Sequence, residues 1–598
     1  MKQITWNLKH LFEGDDDTVM KKNRDVVHKK SYEFINKWKD RTDYLTDPAS
    51  LRKALDDYER WRSKYGSDGN EGYYFSLRTA QDQNDPKLKA KFNMVEDFGK
   101  KIENDIQFFS LRIAKIPEKD QHRFLAYEGL KKYRHYLKRL FQEAKYLLSE
   151  PEERIMNLKT STSYSNWVRM TSSFLSREER NVLAAAGKKE QKSFSEIASL
   201  MNKKEKRVRD SAARAFNDIL VKNVDVAEAE INSVLANKKT DDEIRVVPRP
   251  DITRHINDDI DTEIVDSLIK AVSDRFDISK DYYALKARLL KVGMLQYHER
   301  NIEYGVINKK YPYKESVLLV QKVFRNLDKR FYEIFRGFLD NGQFDVFPRK
   351  GKVSGAFCSH NMITQPTYIL LNHTDRLNDV LTLAHELGHG INNELIREKQ
   401  NALNFGTPTS TAEVASTFME DFVLQEILKQ ADDELRLSIM MMKLNDDVST
   451  IFRQIACYRF EQELHQGYRK KGYLSKDEIG KLFQKHMSAY MGDAVRQSPG
   501  SENWWVYWSH IRSFFYVYSY ASGLLISKSL QYSVKTSPQF IEKVKEFLSA
   551  GLSDSPKNIF MRLGLDIANT GFWNKGLDEV DALLRETEEL ALKLGKIR

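Results

Sequence analysis

The residues of this chain best suited to chemistry are His385, Glu386 and His389, which stand in the sequence His-Glu-Leu-Gly-His. Positions i and i+4 lie on one face of a helix, so the two imidazoles can bind a single zinc ion. Glu386 follows the first histidine and can act as general base toward a water molecule at the metal. The alternative is that both histidines are hydrogen-bonded core residues.

The element that must position these residues is a helix. Around them, apolar residues recur at the three- and four-residue spacing of an amphipathic helix, namely Val380, Leu381, Ala384, Leu387 and Ile391. Gly388, inside the motif, leaves room for another segment to approach the helix backbone closely. Together with a third ligand downstream, this favours a metal site over a pair of core histidines.

That third ligand is predicted after a loop rich in helix breakers at 404–410, where a second helix begins. Glu413 lies there, 24 positions after His389. Catalytic zinc commonly takes two histidines and one carboxylate, which leaves a position for water, and Glu413 suits that role. Glu420 lies two turns further along and could orient a zinc-binding histidine. It could equally be a surface or interhelical carboxylate.

Short β-prone runs precede the zinc helix, separated by Gly, Pro and Ser, at 344–347, 355–358 and 367–371. They predict a small sheet next to that helix. The edge of such a sheet can bind an extended peptide by strand addition. The strands could also simply pack under the helix, and the pattern leaves both readings open.

The rest of the chain is predicted to be mostly α. Only 13 Pro and 27 Gly interrupt 598 residues, and few breakers favour long helices. Helices should start at Asp47-Pro48 and Asp85-Pro86. Ser176 and Glu179 read as a capping box at another helix start, and residues 237–250 read as a linker.

The composition indicates which binding partners and which cellular compartment to expect. The net charge of +10 raises the possibility of nucleic acid or an anionic membrane, but the basic pairs are scattered and usually have acidic residues nearby. No run of about 18 apolar residues is present, so no membrane span is expected. The two cysteines are far apart, and the first ten residues lack a signal-peptide core. We expect a cytoplasmic protein with no nucleic-acid or membrane partner.

The motifs together resemble the oligoendopeptidase F branch of the thimet-oligopeptidase-like zinc metallopeptidases. The resemblance is close over residues 340–580, looser over 110–340 and weak before residue 110. The motifs that carry it are 355–358, 383–390, 412–418, His510, 515–523, 563–567 and 571–573. It implies a mostly α, two-lobed helical fold with a deep central channel and a small β-sheet next to the zinc helix. It also implies an N-terminal helical region at 1–110, an oligoendopeptidase F N-terminal-type lobe at 111–200 and a catalytic domain at 201–598.

The resemblance also implies a zinc-dependent endopeptidase that cuts internal bonds of short, unstructured peptides. His385, His389 and Glu413 match the ligands of one Zn²⁺ per chain, and Glu386 matches the general base. The oligomeric state stays open.

A second group implied by the resemblance stabilises the tetrahedral intermediate. His510 and a following tyrosine match it, and a neutral donor near zinc can stabilise an oxyanion. Tyr520 is the first candidate. Tyr516 and Tyr518 are assigned to substrate binding with Gly355 and Ala356, although aromatic stripes are usually core.

Other functions remain to be separated from this one. A metallocarboxypeptidase of similar helical architecture would trim single C-terminal residues. A helical peptide-binding module that has lost catalysis would not need Glu386 together with all three candidate ligands. Binding of nucleic acid through the net charge would be sensitive to salt. Cys358 could be redox-active in the channel or a small buried residue.

Overall fold

The computed structural model describes residues 4–184 and 187–598 of the chain. Helices dominate them, which confirms the predicted mostly α fold. In chain order the helices of the first half are α1 Val19–Trp38, α2 Pro48–Lys64, α3 Gly69–Gln81, α4 Pro86–Ile106, α5 Phe108–Ala114, α6 Glu118–Ala126, α7 Arg134–Ala144, α8 Glu150–Thr160, α9 Asn166–Ser176, α10 Phe194–Leu200, α11 Lys206–Ile244, α12 Ile252–Asn257, α13 Thr262–Asp274 and α14 Phe276–Leu289.

The helices continue through the second half of the chain. They are α15 Tyr313–Leu327, α16 Lys329–Asp340, α17 Leu377–Lys399, α18 Val414–Lys429, α19 Asp433–Asp447, α20 Arg453–Lys471, α21 Lys476–Met491, α22 Tyr518–Thr536, α23 Ile541–Ala550, α24 Pro556–Arg562 and α25 Thr570–Lys593. None of the helices in 4–184 and 187–598 combines the length and apolar character needed to cross a membrane.

The strands are short. They are β1 Glu179–Leu183, β2 Lys189–Ser193, β3 Leu295–Gln296, β4 Phe344–Asp345, β5 Phe357–Ser359, β6 Tyr368–Leu370 and β7 Val495–Arg496. β1 pairs antiparallel with β2, and β3 pairs parallel with β7. The remaining sheet has the order β4-β6-β5, with β4 parallel and β5 antiparallel to β6. It confirms the small sheet predicted just before the zinc helix.

The chain divides into two compact units, each built from three segments. The first unit comprises Met1–Lys145, Asn308–Lys429 and Ser533–Leu565, and the second comprises Tyr146–Ile307, Gln430–Tyr532 and Asp566–Arg598. The first contains the three-stranded sheet and α17. The domain limits predicted at 110 and 200, and the channel, stay predictions.

Helix α17 is held by its apolar stripe. Val380, Ala384, Leu387 and Ile391 are fully buried, and α17 packs against α15, α16, α18, α23 and the sheet. The central strand β6 is itself fully buried. The indole nitrogen of Trp6 donates to the Ile369 carbonyl at 2.9 Å. The N-terminal segment therefore anchors the sheet that supports α17.

Local signals place some helix ends correctly. Asp47 accepts a hydrogen bond from the Ser50 amide at 2.8 Å at the start of α2. Asp85 accepts one from the Lys87 amide at 2.8 Å at the start of α4. Both predicted starts are confirmed, because each Asp satisfies an amide that the helix itself leaves free.

Other local predictions are wrong. The supposed linker at 237–250 belongs largely to α11, which runs on to Ile244, because no breaker occurs before Pro248 and the buried pair Lys238–Asp242 stabilises the last turns. Ser176 ends α9 instead of capping a helix. Glu179, its supposed partner, pairs with Ser193 in the β1–β2 hairpin.

Candidate metal centre

Helix α17 buries its apolar stripe and leaves His385 and His389 partly exposed, at 26% and 25% of the side chain. Their ring centroids are 5.1 Å apart, and the rings are nearly perpendicular. This is the arrangement that a separation of four residues produces on a helix. The two imidazoles can therefore face one common point.

Glu413 lies at that point, immediately before α18. Its Oε2 atom is 3.3 Å from Nε2 of His385 and 3.6 Å from Nε2 of His389. The Ser416 hydroxyl donates to the same oxygen at 3.0 Å. The candidate ligand atoms all lie within 4.8 Å of one another, so a single ion can contact all three side chains.

Gly388 allows the two helices to come this close. A Cβ atom at position 388 would lie 2.5 Å from the Ser416 Cα and 2.6 Å from the Ala415 carbonyl oxygen. Both atoms are backbone, so they cannot move aside as a flexible side chain would. The predicted close approach at Gly388 is confirmed, and the approaching segment is the one that carries Glu413.

Glu420 contacts His385 on the ring nitrogen that faces away from Glu413. Its Oε2 atom is 3.1 Å from Nδ1 of His385. A carboxylate on one ring nitrogen fixes the ring orientation and leaves the other nitrogen for a metal. That other nitrogen, Nε2, is the one that faces Glu413. Two imidazole nitrogens and one carboxylate form a donor set that zinc accepts, so these residues fit a metal ion.

The electrostatics of the ligand cluster favour a positive charge at its centre. The hydrogen bond with His385 lowers the pKa of Glu413 to about 2 despite partial burial. Burial opposes a charge on His385, but hydrogen bonds to Glu413 and Glu420 outweigh it and raise its pKa to about 10. In the metal-free chain a proton supplies the positive charge, and a bound metal would release that proton.

Glu386 is only 7% exposed. Burial raises its pKa to about 7, while His385 and a hydrogen bond from the Cys358 backbone amide act in the opposite direction. A carboxyl group with a pKa near neutrality can both accept and return a proton at neutral pH. This property suits the role of general base predicted from the sequence.

Strand β5 lies beside Glu386. In the described part of the chain β5 pairs with β6 alone, so its other edge is free of strand partners. Gly355 and Ala356 lead into it. Gly355 has φ +88°, a left-handed conformation that favours glycine, and its carbonyl accepts a hydrogen bond from Asn372 at 2.6 Å. The free edge and the Cys358 amide therefore lie next to the candidate base.

The Cys358 thiol is not poised for reaction. Burial raises its pKa well above the usual range, and its sulfur accepts a weak hydrogen bond from Asn393 at 3.7 Å. A thiol must ionise to act as a nucleophile. These observations favour an unreactive, partly buried side chain over a redox-active one.

The second unit holds the other predicted group. The Tyr516 hydroxyl is hydrogen-bonded to Nδ1 of His510. The ring of Tyr520 is 6.2 Å from His510 and 5.8 Å from Tyr516, measured between centroids. The three side chains therefore form one cluster, in which Tyr516 is the direct partner of His510. Tyr520 stays the predicted oxyanion donor.

Burial lowers the pKa of His510, with a smaller contribution from Arg453. The ring is therefore neutral at neutral pH. When Tyr516 donates to Nδ1, the ring proton lies on Nε2, which is then available as a neutral donor.

Tyr518 is placed differently from its neighbours. It is fully buried, and its hydroxyl donates to Asp258 at 2.9 Å. Its ring packs edge-on against Tyr458. The Tyr518 hydroxyl is therefore already occupied by a partner within the second unit.

Sequence reasoning missed two contributors to the metal centre. Ser416 binds Glu413, and the signal for it was its position three residues later in a helical segment. The Cys358 amide approaches Glu386 through the packing of β5 beside α17; the sequence predicted the strand but not this contact.

A second set of metal-type side chains lies in the second unit, at Asp210, His298 and Glu299. Arg209 donates to Glu299 at 2.7 Å, and Lys206 donates to Asp210 at 3.0 Å. These cations already neutralise the carboxylates. The cluster is therefore explained as an ion-pair network.

Two histidines one turn apart, a carboxylate next to the adjoining helix and a buried glutamate match the pattern of a metallopeptidase site, and they lie on a mostly helical fold. The profile of peptidase family M3 matches residues 177–579, and that of oligopeptidase F matches residues 112–177. The chain belongs to peptidase family M3 and is a metallo-endopeptidase. Membership implies a metal cofactor and peptide substrates, and it confirms the resemblance to oligoendopeptidase F.

Individual relatives agree with this assignment. The chain is 24% identical to the oligoendopeptidase F homolog of Lactococcus lactis subsp. lactis over 530 residues, which are 87% of each chain. It is 24% identical to oligopeptidase PepF of Bacillus subtilis over 609 residues, covering 99% of this chain and 88% of the other. A crystal structure from Chlamydophila abortus has the same fold, with a TM-score of 0.86, 20% identity and 98% of both chains covered.

Proposed function

We propose that this chain is a zinc-dependent endopeptidase that hydrolyses internal bonds of short, unstructured peptides. The observation that carries the proposal is the convergence of His385, His389 and Glu413 beside the buried Glu386. The names of the relatives, which include oligopeptidases and oligoendopeptidases, support the substrate class.

One zinc ion per chain would be held by His385, His389 and Glu413. When bound there, zinc supplies the Lewis acidity that makes water a nucleophile at neutral pH. Glu413 contributes a negative charge that is retained over the whole neutral range, because its pKa is about 2. Glu420 keeps His385 in the tautomer and orientation in which Nε2 faces the site.

Glu386 carries the proton transfers in this proposal. Its carboxylate takes a proton from the attacking water and later delivers it to the amine nitrogen of the leaving peptide. A nearby cation favours the ionised, proton-accepting form of the carboxylate. The backbone amide of Cys358 favours the same form.

The peptide backbone would lie along the free edge of β5. An extended chain can add to a sheet edge through its backbone amides and carbonyls, which binds peptides without reading their sequence. Gly355 and Ala356, at the start of this edge, would align the substrate.

His510 and Tyr520 are proposed to donate hydrogen bonds to the oxyanion of the tetrahedral intermediate. Tyr516 holds His510 through Nδ1 and so keeps the ring in its donor orientation. His510→Ala should lower kcat about 10²- to 10³-fold, the usual effect of losing one oxyanion donor, with unchanged zinc content. Tyr520→Phe and Tyr516→Phe, measured alongside, identify which hydroxyl contributes; an unchanged kcat in all three variants would contradict the role of this cluster.

The proposal is tested by incubating the zinc-loaded protein with a peptide of about eight residues, blocked at both ends, and identifying the products. Cleavage at an internal bond is expected, since an endopeptidase needs no free terminus. Removal of single C-terminal residues from an unblocked peptide only would point to a carboxypeptidase. Binding of the peptide with zinc present but no cleavage would point to an inactive binding protein.

Glu420→Gln tests whether Glu420 supports metal binding through His385. The amide can still contact Nδ1 of His385 but no longer provides the charge that favours the metal-binding tautomer. We expect zinc affinity to fall about 10- to 100-fold, measured by competition with a chromogenic chelator. Glu426→Gln, further along α18 and paired with Lys322 through a side chain that is 17% exposed, is the matched control. Wild-type affinity in Glu420→Gln would remove Glu420 from the site.

A cytoplasmic location stays a prediction. It rests on the two cysteines, which are both free thiols.

A further inference from the structure

The loop between His510 and Tyr516 contains two consecutive residues in the left-handed region of backbone space. Phe514 has φ +49° and Phe515 has φ +57°. Bulky side chains rarely adopt this conformation, and neighbouring structure must hold them in it. Such backbone strain concentrates at functional sites, and this loop joins two members of the predicted cluster.

Glu461 of α20 makes the most buried of the contacts that hold the loop. Its Oε1 atom accepts a hydrogen bond from the Phe515 amide at 2.9 Å, and its side chain is fully buried. Its other oxygen, Oε2, has no hydrogen-bond partner in the described part of the chain. The carboxyl group is therefore committed to the backbone of this loop.

Other contacts fix the preceding residues. Arg254 donates to the carbonyls of Ser513 and Phe514, both at 3.2 Å. Tyr164, which lies in the π-helical turn Ser161–Ser165, donates to the carbonyl of Arg512. The loop is thus held through its backbone by three separate elements of the second unit.

The Phe515 side chain is packed as tightly as its backbone. It is fully buried, with its ring centroid 4.7 Å from His465 and 5.6 Å from Tyr458. Both partners belong to α20, as does Glu461. One helix therefore holds the backbone and the side chain of the residue immediately before Tyr516.

We propose that Glu461 is a positioning residue for the peptidase reaction: by binding the Phe515 amide it holds the left-handed turn that places the Tyr516 hydroxyl on His510. This inference rests on the proposed role of the His510 cluster. Glu461 contacts the backbone of the loop at Phe515 and acts through Phe515 and Tyr516.

The acceptor role of Glu461 makes the proposal specific. Burial raises the pKa of this carboxyl well above its usual range, against the effects of the Phe515 amide and Arg254. The geometry requires only that Oε1 accepts the hydrogen bond from the Phe515 amide. A glutamine side chain has the same shape and the same acceptor, whereas leucine fills the space without accepting.

The test compares Glu461→Gln, Glu461→Leu and Glu461→Asp in the zinc-loaded protein with the blocked peptide. We expect Glu461→Leu to lower kcat about 10- to 100-fold, the effect of a misplacement of roughly 1 Å. KM should change little, because the cluster acts on the transition state. Glu461→Gln should stay within about threefold of the wild type, rescued by its acceptor. In Glu461→Asp the side chain is one methylene shorter, so its acceptor is further from the Phe515 amide and its kcat should lie between those of the Gln and Leu variants. This variant also keeps the test usable if the Leu variant does not fold.

A second readout does not depend on activity. Hydrogen–deuterium exchange of the segment 511–520, followed by mass spectrometry, should be faster in Glu461→Leu than in the wild type, with or without zinc. Glu463→Leu is the matched control, since Glu463 lies on the same helix but pairs with Lys485 and His486. It should leave kcat and the exchange of 511–520 unchanged.

The outcomes separate this inference from the function on which it rests. Wild-type kcat and exchange in Glu461→Leu would overturn it, as would equal losses in the Gln and Leu variants. If His510→Ala loses activity while Glu461→Leu does not, only the positioning role fails. If His510→Ala retains full activity, the cluster has no role in the reaction, and the positioning role falls with it.

Discussion

Glu386→Gln should bind zinc as the wild type does and hydrolyse peptides at least about 10²-fold more slowly, because general acid–base catalysis contributes about 10²- to 10⁴-fold. The amide matches the carboxylate in size, so the buried space around position 386 stays filled. It cannot accept a proton from water or return one to the leaving amine. The measurement is kcat on an internally quenched peptide, with zinc content determined on the same samples.

Glu398→Gln is the control for this experiment. It lies on the same helix, where its side chain is 39% exposed and paired with Arg330. Surface ion pairs contribute about 0–1 kcal/mol, so activity and zinc content should not change. Retained activity in Glu386→Gln would show that another group serves as base. Loss of zinc from that variant would show that Glu386 supports the metal.

Gly388→Ala should lose zinc affinity by more than about 10-fold and lower the free energy of unfolding by about 1–3 kcal/mol, the usual range for overpacking. The added methyl group would meet the backbone of Ala415 and Ser416. The helices must then separate, and Glu413, which precedes α18, moves away from the imidazoles. Zinc affinity is measured by chelator competition and the unfolding free energy by denaturation of the metal-free protein.

Gly337→Ala is the matched control. Gly337 lies within α16, and nothing lies within 4 Å of a Cβ built there. Ala is favoured over Gly in a helix by about 0.5–1 kcal/mol, so this variant should be as stable as the wild type or more so, with unchanged zinc affinity. If Gly388→Ala bound zinc equally well, the ligand geometry would not depend on the contact between α17 and α18.

The sequence alone was enough to predict features that depend on residues close together in the chain. The period of Val380, Ala384, Leu387 and Ile391 predicted α17, because the same stripe that repeats in the sequence is the one buried in the fold. Asp47 predicted a helix start that the structure confirms, since capping involves only the next few residues.

Two local signals led to wrong predictions. Ser176 and Glu179 have the pattern of a capping box, yet Glu179 pairs with Ser193 in a hairpin. Polar residues from 237 onward read as a linker, yet a long helix continues to Ile244 because the chain contains no breaker there. Polarity alone does not end a helix.

The sequence by itself determined which residues could bind the metal, through the i, i+4 spacing of His385 and His389. Only the tertiary structure decided that Glu413 reaches both rings and that Glu420 lies on Nδ1 of His385. Only the tertiary structure also made Tyr516 the partner of His510. The reason is physical: spacing along a helix is set by its own hydrogen bonds, whereas contacts between segments depend on how closely two backbones can pack.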